Sequence, residues 1–497
     1  MQKYLLGLDN GGTLIKAVIY DLLGNEVAVA KGKTESIISE PGYSERDMDV
    51  LWKANCRAVK EVLKVSGIEA SSICAMAVTG QGNGLYLVDG DGNPCRNGIS
   101  SADRRSQGYV DRWNADGTDQ AVKSRTFQTV WSGQPVAILA WLQEHENETL
   151  EKTKWIFMCK DYIRYRLTGE AWAEITDYSG TNLVNLHSLE YDDEILLAFD
   201  LADMRDRLPP LKKSTDCCGA ITAFAAQETG LLAGTPVYGG LFDIDASAIG
   251  LGMTRSNMLA IIAGTWSINE YISQKPVTGK SLKCTAYCMD GYYLITESSP
   301  TSASNLEWVV NNLHLDFPEE GSPFAYCDQV VEQVAPDSSD VLFLPFLYGS
   351  NVDPHASGTF LGLSGWHTID HMIRAVFEGI VFSHRMHIDR LRKDGEAFSV
   401  ARLAGGVGSS RVWVQMFSDI LQMPLEIMEN KEVGVLGAAM AAGVGAGLFS
   451  SFSSAAEHMV RVKEKYYPRV GLAAVYDHKY ERYCKAINAL NNFWIVC

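Results

Sequence analysis

The chain runs to 497 residues, more than one hydrophobic core can organise, so two domains of roughly 200–250 residues are expected. Its hydrophobic (46%) and charged (21%) fractions are those of an ordinary soluble globular protein. The formal net charge of −17 argues against general nucleic-acid binding, which needs a basic face, but leaves room for a small anion held by backbone amides.

No run of about 18 apolar residues occurs, so no membrane partner is expected, and the N-terminus MQKYLLGLDNGG has neither a signal-peptide core nor a cleavage site. The eleven cysteines are scattered without paired CxxC spacing. They read as reduced structural thiols of a cytoplasmic protein, not as a zinc site or a disulfide scaffold.

In chain order, YLLGLDNGGTLIKAVIYDLLGNEVA reads as a hairpin: apolar Tyr4 to Leu8, a turn at Asn10-Gly11-Gly12, apolar Leu14 to Tyr20, then a second turn. From Met48 to Val65 the apolar spacing is helical, and ICAMAVTGQGNGLYLVDGDGNP returns to two strands broken by glycine turns. Residues 135–170, with WLQEHENE and KDYIRYRLTGE, read as helical; Pro209-Pro210 and LKKSTDCCG then interrupt. GGLFDIDASAIG follows at 239–250. Near 259, LAIIAGTWSINEYIS repeats the shape of the first hairpin. ARLAGGVGSSRVWVQMFSDILQMPLEI reads as strand, glycine-rich turn, helix and strand, and GVLGAAMAAGVGAG as a small-residue helix suited to close packing. The alternation predicts an α/β class with two similar domains, divided near 246–256.

Several turns could carry chemistry. Asp9 ends an apolar strand just before Asn10-Gly11-Gly12-Thr13, where glycine amides can approach an anion and a carboxylate can hold a divalent cation through water. It is not a Walker loop, and an ordinary hairpin turn remains open. Gly264-Thr265-Trp266 and AGGVGSS at 404–410 are two further turns of this kind, the second leading into a helix whose N-terminal amides would attract phosphate. Gln81-Gly82-Asn83 and SSADRRS at 100–106 offer polar groups to a polyol, or simply close a hairpin and solvate a loop. In GGLFDIDASAIG, Asp243 and Asp245 either cap a helix or present a carboxylate to a cleft.

Taken together these segments resemble the FGGY family of carbohydrate kinases, over nearly the whole chain. GLDNGGTLIKAVIYD resembles the family's first phosphate hairpin, PGYSERDMDVLW its PGWxExDPxxxW segment, and KDYIRYRLTGE with TDYSGTN its N-domain helix and loop. GGLFDIDASAIG resembles the GGxxDxxxxxxG block, GTFLGLSGWHTIDHMIRAVFEG the C-terminal signature, and AGGVGSSRVWVQMFSDILQMPLEI the adenosine-side block. One departure is Ile138, where the family usually has a lysine. SSADRRS, GGLFD, SPTSASNLEW and LFLPFLYGSN are similar to the L-xylulose/3-keto-L-gulonate branch. Gly80-Gln81-Gly82-Asn83 has neither the glycerol-kinase NQRE tetrad nor the Met-His pair of D-xylulose kinases.

The resemblance implies two actin-like (ribonuclease H-like) domains, 1–248 for sugar and 249–497 for nucleotide, hinged near residue 250 with a catalytic cleft between them. It implies ATP and Mg²⁺ as cofactors and phosphoryl transfer to a ketopentose or keto-sugar acid. Asp243 would be the general base and a metal contact, with Asp9 binding Mg²⁺ through water. Gly11, Gly12, Thr13, Lys16, Gly264, Thr265, Gly405, Gly406 and Ser410 would bind ATP, and Gln81, Asp103 and Arg104 the sugar. Because many relatives pair, a homodimer is implied as well. The alternatives are a kinase for D-xylulose, L-ribulose, erythritol or glycerol, a non-catalytic sugar-binding member of the fold, and an actin-like or chaperone ATPase. The last needs no base at the Asp243 position.

Overall fold

The structure is a computed structural model describing residues 2–279, 282–313, 321–353, 355–394 and 397–494. It divides into two compact units, each assembled from three stretches of chain. The first comprises Met1–Thr254, Ile272–Ile295 and Glu432–Arg461, and the second Arg255–Tyr271, Thr296–Lys431 and Val462–Cys497.

The first unit is built on β1 (Tyr4–Asn10), β2 (Leu14–Asp21), β3 (Glu26–Lys33), β4 (Ile73–Gly80), β5 (Cys217–Ala220) and β6 (Pro236–Phe242), in the order β5-β6-β4-β1-β2-β3. The predicted hairpin is β1–β2, antiparallel from Tyr4↔Asp21 to Asn10↔Ile15. β1 and β6 both run parallel to β4, and parallel strands are covered on both faces, which is why they read as continuous apolar runs. Alternation still sorts their residues. Leu6 and Leu8 join the core under the helix Met48–Ser66, whereas a side chain at Gly7, on the opposite face, would collide with Val435 of the helix Val433–Gly445. The Met48–Ser66 helix starts where Asp47 accepts from the amides of Asp49 and Val50, and stops at Gly67 in the left-handed region.

The Val433–Gly445 helix is the small-residue segment, and its glycines are a packing requirement. A Cβ on Gly437 would lie 2.0 Å from the Ala246 carbonyl oxygen, and one on Gly250 would lie 1.9 Å from that of Val433. This helix thus seats the short helix Asp243–Gly250 at backbone-contact distance.

The second unit repeats the plan. β7 (Met258–Ala263) and β8 (Ser267–Ser273) form an antiparallel hairpin, paired from Ala260↔Glu270 to Ala263↔Ser267. β9 (Val400–Ala404) runs parallel to β7, β10 (Leu425–Met428) parallel to β9, and β11 (Val462–Tyr466) antiparallel to β10. A hairpin, two parallel strands and an antiparallel edge is also the order β2-β1-β4-β6-β5. The faint repeat in the sequence is therefore a repeat of topology. Among the described residues no helix is long and apolar enough to cross a membrane, and every described cysteine is a free thiol.

Candidate active site

In the first unit the parallel strands bring three loops side by side. Asn10 and Phe242 both register with Gly80, so β1, β4 and β6 end at one level. Ligands of open α/β sheets bind at such carboxyl ends. The turns issuing there are Gly11-Gly12-Thr13, Gln81-Gly82-Asn83 and the helix beginning at Asp243.

Gly240 makes the last of these possible. It sits at φ +80° in an irregularity of β6, and a Cβ there would lie 1.9 Å from the Val78 carbonyl oxygen. The glycine pair of the motif thus kinks the strand just before Asp243, the first residue of its helix. Asp243 is half-buried, whereas Asp245 is fully buried. Burial, and then the charge of Asp9, push the Asp243 carboxyl up to about 7, against the amide of Ile244 and the charge of Lys283. Asp9 rises to about 6, again through burial first, with Lys16 opposing and Glu432 reinforcing.

A buried ionic cluster holds this end of the sheet. Lys160 contacts Asp161 (3.1 Å) and Glu174 (3.2 Å), and Arg164 contacts Asp161 (2.6 Å), all of them fully buried. From it Arg164 donates to the Gly239 carbonyl (2.6 Å), Thr176 accepts from the Phe242 amide (2.9 Å), and Asp177 accepts from the Asn83 amide (3.2 Å). KDYIRYRLTGE and TDYSGTN therefore act on the site from beneath, by fixing the backbone on either side of it.

The remaining first-unit residues divide. Gly12 and Thr13 are exposed on their turn, and Lys16 is ion-paired to Glu432 (2.7 Å), which also holds Lys31 (2.6 Å). Gln81 lies against the Gly12 turn and donates through Nε2 to Ser101. Asp103 is tied into its own loop. It is buried, and its oxygens accept from the Ser44 amide and from the backbone amide and guanidinium of Arg105, so it braces the 100–106 loop. Arg104, its neighbour, is exposed.

In the second unit the predicted nucleotide residues converge. One cavity of about 530 Å³ is lined by Gly264, Thr265, Gly406 and Ser410, with Leu306, Phe324, Val407 and Trp413 among its apolar walls. Gly405 directly precedes this lining at the end of β9. Ser410 caps the helix Arg411–Leu421, accepting from the Trp413 amide (3.2 Å) and donating to Asp328 (2.6 Å). Sequence reasoning passed over Asp328 and Glu432, which have no local signature. It also passed over the buried charges of KDYIRYRLTGE, whose signal is charge at positions that the helix periodicity makes internal.

The comparisons with known proteins agree with this architecture. The model of the FGGY family of carbohydrate kinases, N-terminal domain, matches residues 4–250, and that of the C-terminal domain matches 259–446. The chain belongs to the FGGY family of carbohydrate kinases, with its actin-like, ribonuclease H-like fold. It is 36% identical over 496 residues to the L-xylulose/3-keto-L-gulonate kinase of Escherichia coli strain K12, covering 99% of this chain and 98% of that one. It is 37% identical over 492 residues to a probable L-xylulose kinase of Pasteurella multocida strain Pm70, covering 98% and 99%. The crystal structure of xylulose kinase from Rhodospirillum rubrum superposes with a TM-score of 0.89 at 28% identity, covering 99% of this chain and all (100%) of the other.

Proposed function

We propose that this carbohydrate kinase transfers the γ-phosphoryl group of ATP to a hydroxyl of L-xylulose or a related keto-sugar acid, with Asp243 as general base. The observation that carries the reading is the Asp243 carboxylate. It stands at a kinked strand end beside the Gln81 turn, with its proton affinity raised to about 7. A sugar hydroxyl is a weak nucleophile, and a base titrating near neutral pH is best matched to taking its proton. In the step, Asp243 takes the proton as the hydroxyl oxygen attacks the γ-phosphorus, the bond to the bridging oxygen breaks, and ADP leaves. Gln81, Asp103 and Arg104 are proposed to contact the sugar, Asp103 also bracing the loop that carries Arg104. The turn Gly11-Gly12-Thr13 and Lys16 are proposed to bind phosphate, and Gly264, Thr265, Gly405, Gly406 and Ser410 the nucleotide.

Asp9 and Asp243 fit a hard divalent cation. They are oxygen donors, and the charge of Asp9 adds to the proton affinity of Asp243, a repulsion that a cation relieves. Among the described residues no group of three or more acidic, histidine or cysteine side chains forms a protein-only metal cage, so these two would hold Mg²⁺ together with water and phosphate oxygens. The ion would neutralise charge on the phosphates. We also propose a cytoplasmic location and a homodimer.

The substrate is tested by sugar-dependent ADP release over a panel of ketopentoses, 3-keto-L-gulonate, glycerol and erythritol. L-xylulose or 3-keto-L-gulonate should give the highest kcat/KM. Release no faster than with water alone across the panel overturns the kinase reading. A clear preference for D-xylulose or glycerol overturns the substrate.

A further inference from the structure

The segment Glu45–Arg46, inside the PGYSERD motif, pairs antiparallel with Gly98–Ile99 and buries Arg46 to 2% exposure. Its guanidinium Nη2 donates to two acceptors: the Gly12 carbonyl oxygen and, at 3.1 Å, Gln81 Oε1. Gly12 belongs to the proposed phosphate turn and Gln81 to the proposed sugar turn, so a single nitrogen ties the two together. Gln81 is held from its other end by Ser101, and its amide donates to the Asn10 carbonyl (2.9 Å).

The other side of the guanidinium is anomalous. Nε and Nη1 make no hydrogen bond of ordinary length, their neighbours being the uncharged Tyr86 and Cys159, and Arg46 forms no ion pair among the described residues. Arg46 is set beside the Tyr86 hydroxyl and the Cys159 thiol. Burial pushes both of these groups above their ordinary values, so both are neutral near pH 7. A buried arginine with a purely architectural role is normally paired with an acid, as Arg164 is with Asp161 and Arg105 with Asp103 in this same unit. Arg46 is a buried full charge without a counter-charge, next to a turn whose amides can take an anion.

We infer that Arg46 is a positioning residue for phosphoryl transfer. It holds the Gly12 peptide and the Gln81 amide in one frame, and its missing counter-charge is the phosphate brought to the Gly11–Thr13 turn. By engaging the Gly12 carbonyl from within, it leaves the amides of the turn to the ligand. By fixing Gln81 at the same time, it makes the sugar contact depend on the geometry of the phosphate turn. The inference rests on reading Gly11–Thr13 as a phosphate turn.

The test uses the full-length protein with Arg46→Met and Arg46→Lys, measuring ATP and AMP binding by calorimetry alongside steady-state ADP release. Arg46→Met should weaken ATP about 10-fold relative to AMP, as expected for loss of a charge-assisted interaction with the outer phosphates. Its kcat should fall about 10²-fold. Arg46→Lys keeps the charge but lacks the planar fork, so it should restore the ATP-to-AMP affinity ratio while kcat stays low and the sugar KM rises. A folded Arg46→Met protein with the parental affinity ratio and kcat overturns the proposal. Should that variant not fold, Arg46→Gln and Arg46→Lys carry the same comparison. If the parent releases no ADP with any sugar, the kinase reading fails, and Arg46 is then judged on the affinity ratio alone.

Discussion

Replacing Asp243 by asparagine should remove transfer while making the protein more stable, and the two effects share one cause. The carboxyl is held at about 7 against an ordinary 3.8 because the folded site is poor in water and carries the charge of Asp9. A group whose proton affinity is raised by folding favours the native state at low pH. Its contribution is lost as pH rises through about 7, when the folded carboxyl must ionise in place. The rise of about 3 pKa units corresponds to about 4 kcal/mol at full ionisation, and the partial exposure of Asp243 lowers that figure. Asparagine keeps the shape and carries no charge. In magnesium-free buffer at pH 8, Asp243→Asn should therefore unfold at a higher temperature than the parent, with the difference vanishing near pH 4. Loss of the proposed base should lower kcat by about 10²–10⁴, or roughly 3–5 kcal/mol of barrier. Adenosine-nucleotide binding should persist, because Asp243 does not line the second-unit cavity. Asp245→Asn is the control. Its site is fully buried, so it should lose stability yet keep substantial transfer per folded molecule. Sugar-dependent ADP release near the parental rate in Asp243→Asn, or no stability gain at pH 8, would refute the reasoning.

Two further outcomes follow from the second unit. Ser410→Ala removes a helix cap together with the hydrogen bond to Asp328, and should cost about 1 kcal/mol of stability and weaken ADP binding several-fold in calorimetry; unchanged binding would remove Ser410 from the nucleotide site. His384 and His387 are fully buried and neutral, His384 held between Asn269 Oδ1 (2.8 Å) and Ser302 (2.9 Å), and burial lowers its pKa to about 3. A base depressed by folding contributes stability that is complete above about 6.5 and lost as pH falls. At pH 5.5 the loss is about 1.4 kcal/mol for His384, so the urea-stability gap between the parent and His384→Asn should narrow by that amount from pH 7.5 to 5.5. A gap independent of pH would show that the imidazole is not held neutral.

Much of this protein is legible in its residues because the signals are local. The Leu14–Tyr20 strand, the Met48–Val65 helix and the turn at Gly264-Thr265 follow from apolar period and glycine placement, and each forms as expected. The glycine pair before Asp243 predicts a break in the strand, and Gly240 supplies it at positive φ. Asp103 shows where local reading stops. Its place in the charged loop SSADRRS leaves open what the carboxylate accepts from, because that depends on residues distant in sequence. Ser44, 59 positions earlier, takes one of its oxygens.

What the sequence determined by itself was the α/β class, the doubled hairpin and the set of candidate side chains, all of which depend on residue type and short spacing. Tertiary structure alone decided which of those side chains meet. Residues 432–461 return to the first unit and place Glu432 on Lys16, across more than 400 positions of chain. The registers of β1, β4 and β6 bring Asp9, Gln81 and Asp243 to one edge. Arg46 is left buried without a carboxylate beside the turn that joins them. Such facts come from the pairing of distant strands and the desolvation it imposes, and a spacing rule along the chain carries no record of either.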